Sequence, residues 1–115
     1  MTPSKRGDVV LVPFPFSDLT AVKRRPALVV STEAYNGATG DAIIAQITSM
    51  VKSPARPGDY ILARWRDAGL PLSSLVRAKL TTLHSSLFIR TLGSMPADEM
   101  AHVDAGIAGV LGLEP

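Results

Sequence analysis

Up to Pro96, the chain never sustains an apolar run long enough for a buried helix. Val9-Val10-Leu11-Val12, Ala27-Leu28-Val29-Val30-Ser31 and Ala42-Ile43-Ile44-Ala45-Gln46-Ile47-Thr48 are short, rich in β-branched residues and bounded by Gly, Pro, Asn or Asp. Runs of that kind between turn residues predict strands. Tyr60-Ile61-Leu62-Ala63 and Phe88-Ile89-Arg90-Thr91-Leu92-Gly93 read as two more. Ser74 to Leu83 reads as one bent strand or a strand pair. Asn36 to Asp41 and Ala68 to Pro71 carry turn chemistry. Residues 13–25 read as a loop, because Pro15 has no N–H to give to a central ladder.

The period then changes. Pro96-Ala97-Asp98-Glu99 suits a helix start, with acidic residues at the positive end of the dipole. Met100, Val103, Ile107, Val110 and Leu111 make one helical stripe. Gly106, Gly109 and Gly112 weaken that helix, and their spacing predicts close packing on a sheet. Five to seven strands followed by one helix predict a mainly β fold: a small, strongly bent antiparallel barrel with the C-terminal helix packed on it. Strands do not alternate with helices, which argues against a doubly wound fold.

The chain has 115 residues, a length that predicts a single domain over 1–115. Hydrophobic residues at 46% against 19% charged exclude a disordered polyelectrolyte. With no cysteine, disulfide frameworks, thiolate nucleophiles and Cys-ligated zinc are excluded. No apolar run has the length of a membrane span, and the N-terminus does not read as a secretory signal. The only histidines, His84 and His102, lie far apart and read as ordinary surface or core residues. Phosphate-loop, dinucleotide, zinc-protease and nucleophile-elbow motifs are absent, so neither metal nor cofactor is expected.

Charge is distributed unevenly. Residues 1–90 carry all 12 Lys and Arg against six acidic residues, whereas 91–115 carry four acidic residues and no Lys or Arg. A basic body points to a polyanionic partner. Two loops concentrate the cations: Phe14 to Arg25, with Phe14, Phe16, Ser17, Lys23 and Arg24, and the segment around Lys52 and Arg56. Aromatic faces stack unpaired bases and cations neutralise phosphate. Phe14 and Phe16 equally suit a plug in the barrel mouth, and Trp65 either caps the barrel or offers a stacking platform.

Several segments, in order, resemble the PemK/MazF family of toxin endoribonucleases. They are Lys5-Arg6-Gly7-Asp8-Val9-Val10-Leu11-Val12-Pro13-Phe14-Pro15-Phe16-Ser17-Asp18-Leu19, Lys23-Arg24-Arg25-Pro26-Ala27-Leu28-Val29-Val30-Ser31, Ala45-Gln46-Ile47-Thr48-Ser49 and Ser74 to Leu83. The resemblance extends into the terminal helix. It implies an SH3-like barrel, a cytoplasmic homodimer and metal-independent cleavage of single-stranded RNA, often mRNA, at specific sequences. It also implies a cognate antitoxin that lays an acidic, partly disordered segment across the RNA groove. It makes Arg25 and Thr48 catalytic, with Arg77 assisting.

Elementary chemistry is consistent with those roles. RNA carries its own nucleophile, the 2′-OH, and in-line attack leaves a 2′,3′-cyclic phosphate and a 5′-OH. The protein must then stabilise a phosphorane-like state and help move two protons. Arg25 suits a clamp on the scissile phosphate, since guanidinium offers several donors at any useful pH. Thr48 suits a hydrogen bond to a phosphate oxygen or the 2′-OH. Phe16, Ser17, Lys23, Arg24, Lys52, Arg56 and Lys79 are the expected RNA contacts. Two departures bear on the general base. Ala78 and Lys79 stand where some family members carry an acid, and the first loop has no histidine. The alternative is a non-catalytic SH3-like module that holds nucleic acid or a peptide.

Overall fold

The computed structural model describes residues 3–15, 22–52 and 55–113. Its elements are β1 (Asp8–Pro15), β2 (Val22–Val29), α1 (Glu33–Thr39), β3 (Asp41–Thr48), β4 (Tyr60–Ile61), β5 (Leu75–His84), a 3-10 turn (Ser85–Leu87), β6 (Arg90–Ser94) and α2 (Ala97–Leu111). The six strands form one antiparallel sheet in the order β4-β5-β3-β2-β1-β6. Mainly β with a C-terminal helix is therefore the fold.

The sheet curls because its ends are tied together. After β4, residues 62–70 cross to β6 at backbone distance: a Cβ added to Gly69 would lie 2.2 Å from the Leu92 carbonyl oxygen. Only glycine at position 69, and Gly93 facing it, allow that approach. Side chains alternate faces along each strand. Val9, Leu28, Ala45, Ile47 and Val76 face the cluster that Met100 and Val103 of α2 complete. Val10, Val12, Phe14, Ala27, Val29 and Ile44 build a second cluster on the opposite face. The Val9–Val12 strand is accordingly lined with core on both sides.

Two expectations need correcting. Residues 13–25 are not all loop: Pro13 and Pro15 lie within β1, paired with Arg24 and Val22. The reason is directional. Ile89 N donates to the Leu11 carbonyl at 2.8 Å, so odd-numbered β1 residues aim their backbone groups at β6. That pairing ends at Leu11. The prolines lack an N–H only on a side where no ladder continues, the one place a strand tolerates them.

The second correction concerns Asn36-Gly37, which lies inside α1 and not in a turn. Thr32 caps this helix, accepting from Tyr35 N at 3.1 Å. The Asn36 side chain is buried and donates to the Ser4 carbonyl at 2.7 Å. Tertiary bonds thus override the local turn preference.

Ser74–Leu83 resolves into one bent strand, β5, whose bend is a bulge between the Ala45↔Leu80 and Ile47↔Val76 pairs. In α2, only one of the three glycines packs closely: a Cβ on Gly106 would lie 2.9 Å from the Gly58 carbonyl oxygen. Gly109 faces open space, and Gly112 ends the helix in the left-handed conformation at φ 73°.

Candidate functional site

The β2–β3 ladder stops early. It runs through Val29↔Ile44, Leu28↔Ala45 and Ala27↔Gln46 and goes no further, although both strands continue. Val30 N donates to the Ile43 carbonyl at 2.9 Å, so even-numbered β2 residues aim at β3. Pro26 is the next even residue and has no N–H to give. The ladder loses its next bond there and the strands part.

Continuing the register past the break sets Pro26 opposite Ile47 and Arg25 opposite Thr48. The gap opens into a cavity of about 150 Å³, lined by Arg24, Arg25, Pro26, Ile47, Ser49 and Ser74 with Pro71 and Leu72. Arg25 is half-buried, with its Nε shielded from solvent, and sits across β1 from Val12. Thr48 is only 5% exposed. Its Oγ1 accepts from Met50 N at 3.2 Å, which fixes the rotamer while the hydroxyl proton stays available to donate.

Alternation carries the third residue to the same side. Leu75 pairs with Thr48, and Val76, the next residue, belongs to the α2-side cluster. Leu75, Arg77 and Lys79 therefore share the face of Arg25, Gln46 and Thr48, away from α2. The β5 bulge sets Arg77, Ala78 and Lys79 against the single residue Gln46, with Lys79 exposed and Arg77 half-buried.

Arg77 is not a solvated charge. Its Nε and Nη2 each donate at 3.1 Å to the two oxygens of Asp59. Sequence reasoning passed over Asp59; its signal was a lone acid ending a basic loop, one residue before a strand. Burial pushes the Asp59 carboxyl up. Hydrogen bonds from Arg77 and from the Arg56 amide, with both positive charges, outweigh burial and hold it below the usual value.

The remaining expected contacts fall as follows. Lys23 and Arg24 lie on β2 and are exposed, as are Lys52, Arg56 and Lys79. Phe16 and Ser17 lie outside the described residues. Phe14 is 1% exposed in the second cluster, so it is core and stacks no base. Trp65 packs against the α2-side cluster beneath the Arg66 guanidinium, 4.7 Å from the ring centroid, and is structural. Among the described residues, no group of three or more His, Cys, Asp or Glu side chains could hold a metal ion. No described helix is long and apolar enough to cross a membrane.

Comparison with known proteins matches the same frame. The family model of the PemK-like, MazF-like toxins of type II toxin-antitoxin systems matches residues 5–111. The chain belongs to that family. It is 35% identical over 101 residues to Endoribonuclease MazF6 of Mycobacterium tuberculosis, covering 86% of this chain and 88% of the relative. The crystal structure of MazF from Deinococcus radiodurans superposes with a TM-score of 0.76 at 31% identity, covering 96% of this chain and 98% of that one. The MazE-MazF complex of the same organism gives 0.72 at 30% identity, covering 97% and 98%.

Proposed function

We propose that this toxin is an endoribonuclease that cuts single-stranded RNA by attack of the substrate's own 2′-OH, with Arg25, Thr48 and Arg77 as the working face. The observation that carries the reading is that these three side chains, from three neighbouring strands, lie on one face of the sheet beside the break that Pro26 makes. Arg25 clamps the scissile phosphate through its guanidinium donors and offsets the charge that grows on the phosphorane oxygens. Thr48 donates its hydroxyl to a phosphate oxygen or holds the 2′-OH in line. Exposed Lys23, Arg24, Lys52, Arg56 and Lys79 draw in the backbone on either side, and Ser17 and Phe16 belong to the same reading. Products carry a 2′,3′-cyclic phosphate and a 5′-OH.

The named relatives support the assignment: MazF6 of M. tuberculosis is an endoribonuclease, and MazF of D. radiodurans is held in complex with MazE. By the family resemblance this chain acts as a homodimer in bacterial cytoplasm and is neutralised by a cognate antitoxin whose acidic segment competes with RNA for the cationic face. One observation favours the non-catalytic alternative: the carboxylate beside Arg77 is already engaged and holds its proton weakly, so it is a poor base. End-mapping of RNA fragments from wild type and Arg25→Ala separates the two. A nuclease yields cyclic-phosphate ends that Arg25→Ala abolishes. An RNA ladder left intact by wild type at high enzyme refutes the assignment.

A further inference from the structure

We infer that Asp59 is a positioning residue: it holds the Arg77 guanidinium side-on, so that the Nη1 edge faces the RNA phosphate next to the one clamped by Arg25. The inference rests on the endoribonuclease reading above. Its basis is a cross-strand pair. The β4–β5 register, Tyr60↔Val76 and Ile61↔Leu75, continues to set Asp59 directly opposite Arg77. Oδ1 takes Nε and Oδ2 takes Nη2, each at 3.1 Å. A two-point bond of this kind fixes the guanidinium plane, which a single contact would leave free to swivel. Nη1 makes no hydrogen bond among the described residues, so three of the five guanidinium N–H groups, two of them on Nη1, are left to donate.

Where that edge stands follows from the sheet. Arg77 lies two residues along β5 from Leu75, the partner of Thr48, a step of about 7 Å. That step is comparable to one nucleotide of an extended strand. Asp59 also reaches into the second basic loop. Its Oδ2 accepts from Arg56 N at 2.9 Å, and its own N donates to the Arg56 carbonyl at 3.0 Å. One carboxylate therefore closes the turn that carries exposed Arg56 and orients Arg77. The pair is well shielded, with side chains 3% and 13% exposed. Removing two charges from water is not a dependable source of stability, so conservation of orientation is the better account of the arrangement. Three donors on its two oxygens hold the Asp59 carboxylate in place as the anchor of Arg77.

The test is a double-mutant cycle read in kcat/KM for a fixed single-stranded RNA, with thermal unfolding followed for every variant. Asp59→Asn keeps the shape, turns one acceptor into a donor and lowers kcat/KM about tenfold. Arg77→Lys keeps the charge, loses the fork and gives a similar loss. The double variant is no slower than Arg77→Lys alone, because Asp59 acts only through Arg77. The acid limb of the pH–rate profile is the same in wild type and Asp59→Asn. Losses that multiply in the double variant overturn the inference, whether Asp59 acts directly or merely supports the fold. So does an acid limb that vanishes in Asp59→Asn, which would make Asp59 the base. Neither result touches the underlying reading, which fails only if wild type leaves the RNA intact or Arg25→Ala cuts as fast.

Discussion

Continuing the β2–β3 register two residues past its last pair, Ala27 and Gln46, sets Arg25 opposite Thr48. Both are held: Arg25 by its β1 partner Val12, Thr48 by the Met50 amide on its Oγ1. Arg25→Lys keeps the charge but not the planar fork, and RNA cleavage should fall about 10²-fold. Thr48→Val removes one oriented donor and should cost about 10²–10³-fold. Single-turnover rates on a short RNA check both. A loss of less than threefold in either places the chemistry elsewhere.

Pro26 makes the opening, and the effect is testable by restoring the missing donor. Pro26→Ala returns an N–H aimed at β3, free to bond near Ile47. Amide exchange at residue 26 should then be protected, the cavity beside Arg25 should narrow, and cleavage should drop several-fold. A freely exchanging amide 26 would show that something other than the missing bond parts the strands.

The positions of the strands were legible because each was a β-branched run between turn residues. Pro13 and Pro15 misled, since whether a proline disrupts a strand depends on which side has a neighbour. The early end of β6 pairing at Leu11 is written nowhere near them. Asn36-Gly37 misled because buried bonds to Ser4 and Ser31 hold Asn36 in a helix. Within the site, Arg25 and Thr48 came from the family resemblance, and the face each one takes needed the register. Asp59 stayed hidden because its meaning lies in a cross-strand partner 18 positions away.

Salt dependence reports how many cations meet RNA. Each phosphate contact on a single strand contributes about 0.7 to the slope of log affinity against log salt. Lys52→Ala, Arg56→Ala and Lys79→Ala should each flatten that slope by about this amount, measured on a non-cleavable RNA. An unchanged slope removes the residue from the interface.

Gly69 is where the sheet's two ends meet. At φ 84°, with Leu92 backbone 2.2 Å from a would-be Cβ, alanine is both strained and blocked. Gly69→Ala should cost about 3 kcal/mol or more and lower Tm by over 10 °C. A calorimetric scan within a few degrees of wild type would show that residues 62–70 can move off β6 without loss.

Tyr60 and Asp59 tie stability to pH from opposite ends of the scale. The Tyr60 hydroxyl donates to Glu99 Oε1 at 2.6 Å, and Glu99 Oε2 also accepts from Arg64 N at 3.0 Å. That bond, then burial, then the charges of Glu99 and Asp98 push the phenol from 10.0 up to about 12. The folded chain holds this proton more tightly than the unfolded one. Tyr60 therefore stabilises fully below pH 10, and the contribution drains away between about pH 10 and 12. Asp59 runs the other way. Burial raises its carboxyl, but the bonds from Arg77 and Arg56 prevail and hold it below 3.8. Its contribution is present above that value and is lost as pH falls through the lower folded one. Urea unfolding across pH 2–12 should thus be flat in both contributions through the middle of the range. Tyr60→Phe leaves the ring free to stack on His102, 5.0 Å away, and should abolish only the alkaline loss. If Tyr60→Phe loses stability above pH 10 as steeply as wild type, the partly buried Tyr60–Glu99 bond is not what anchors β4 to α2.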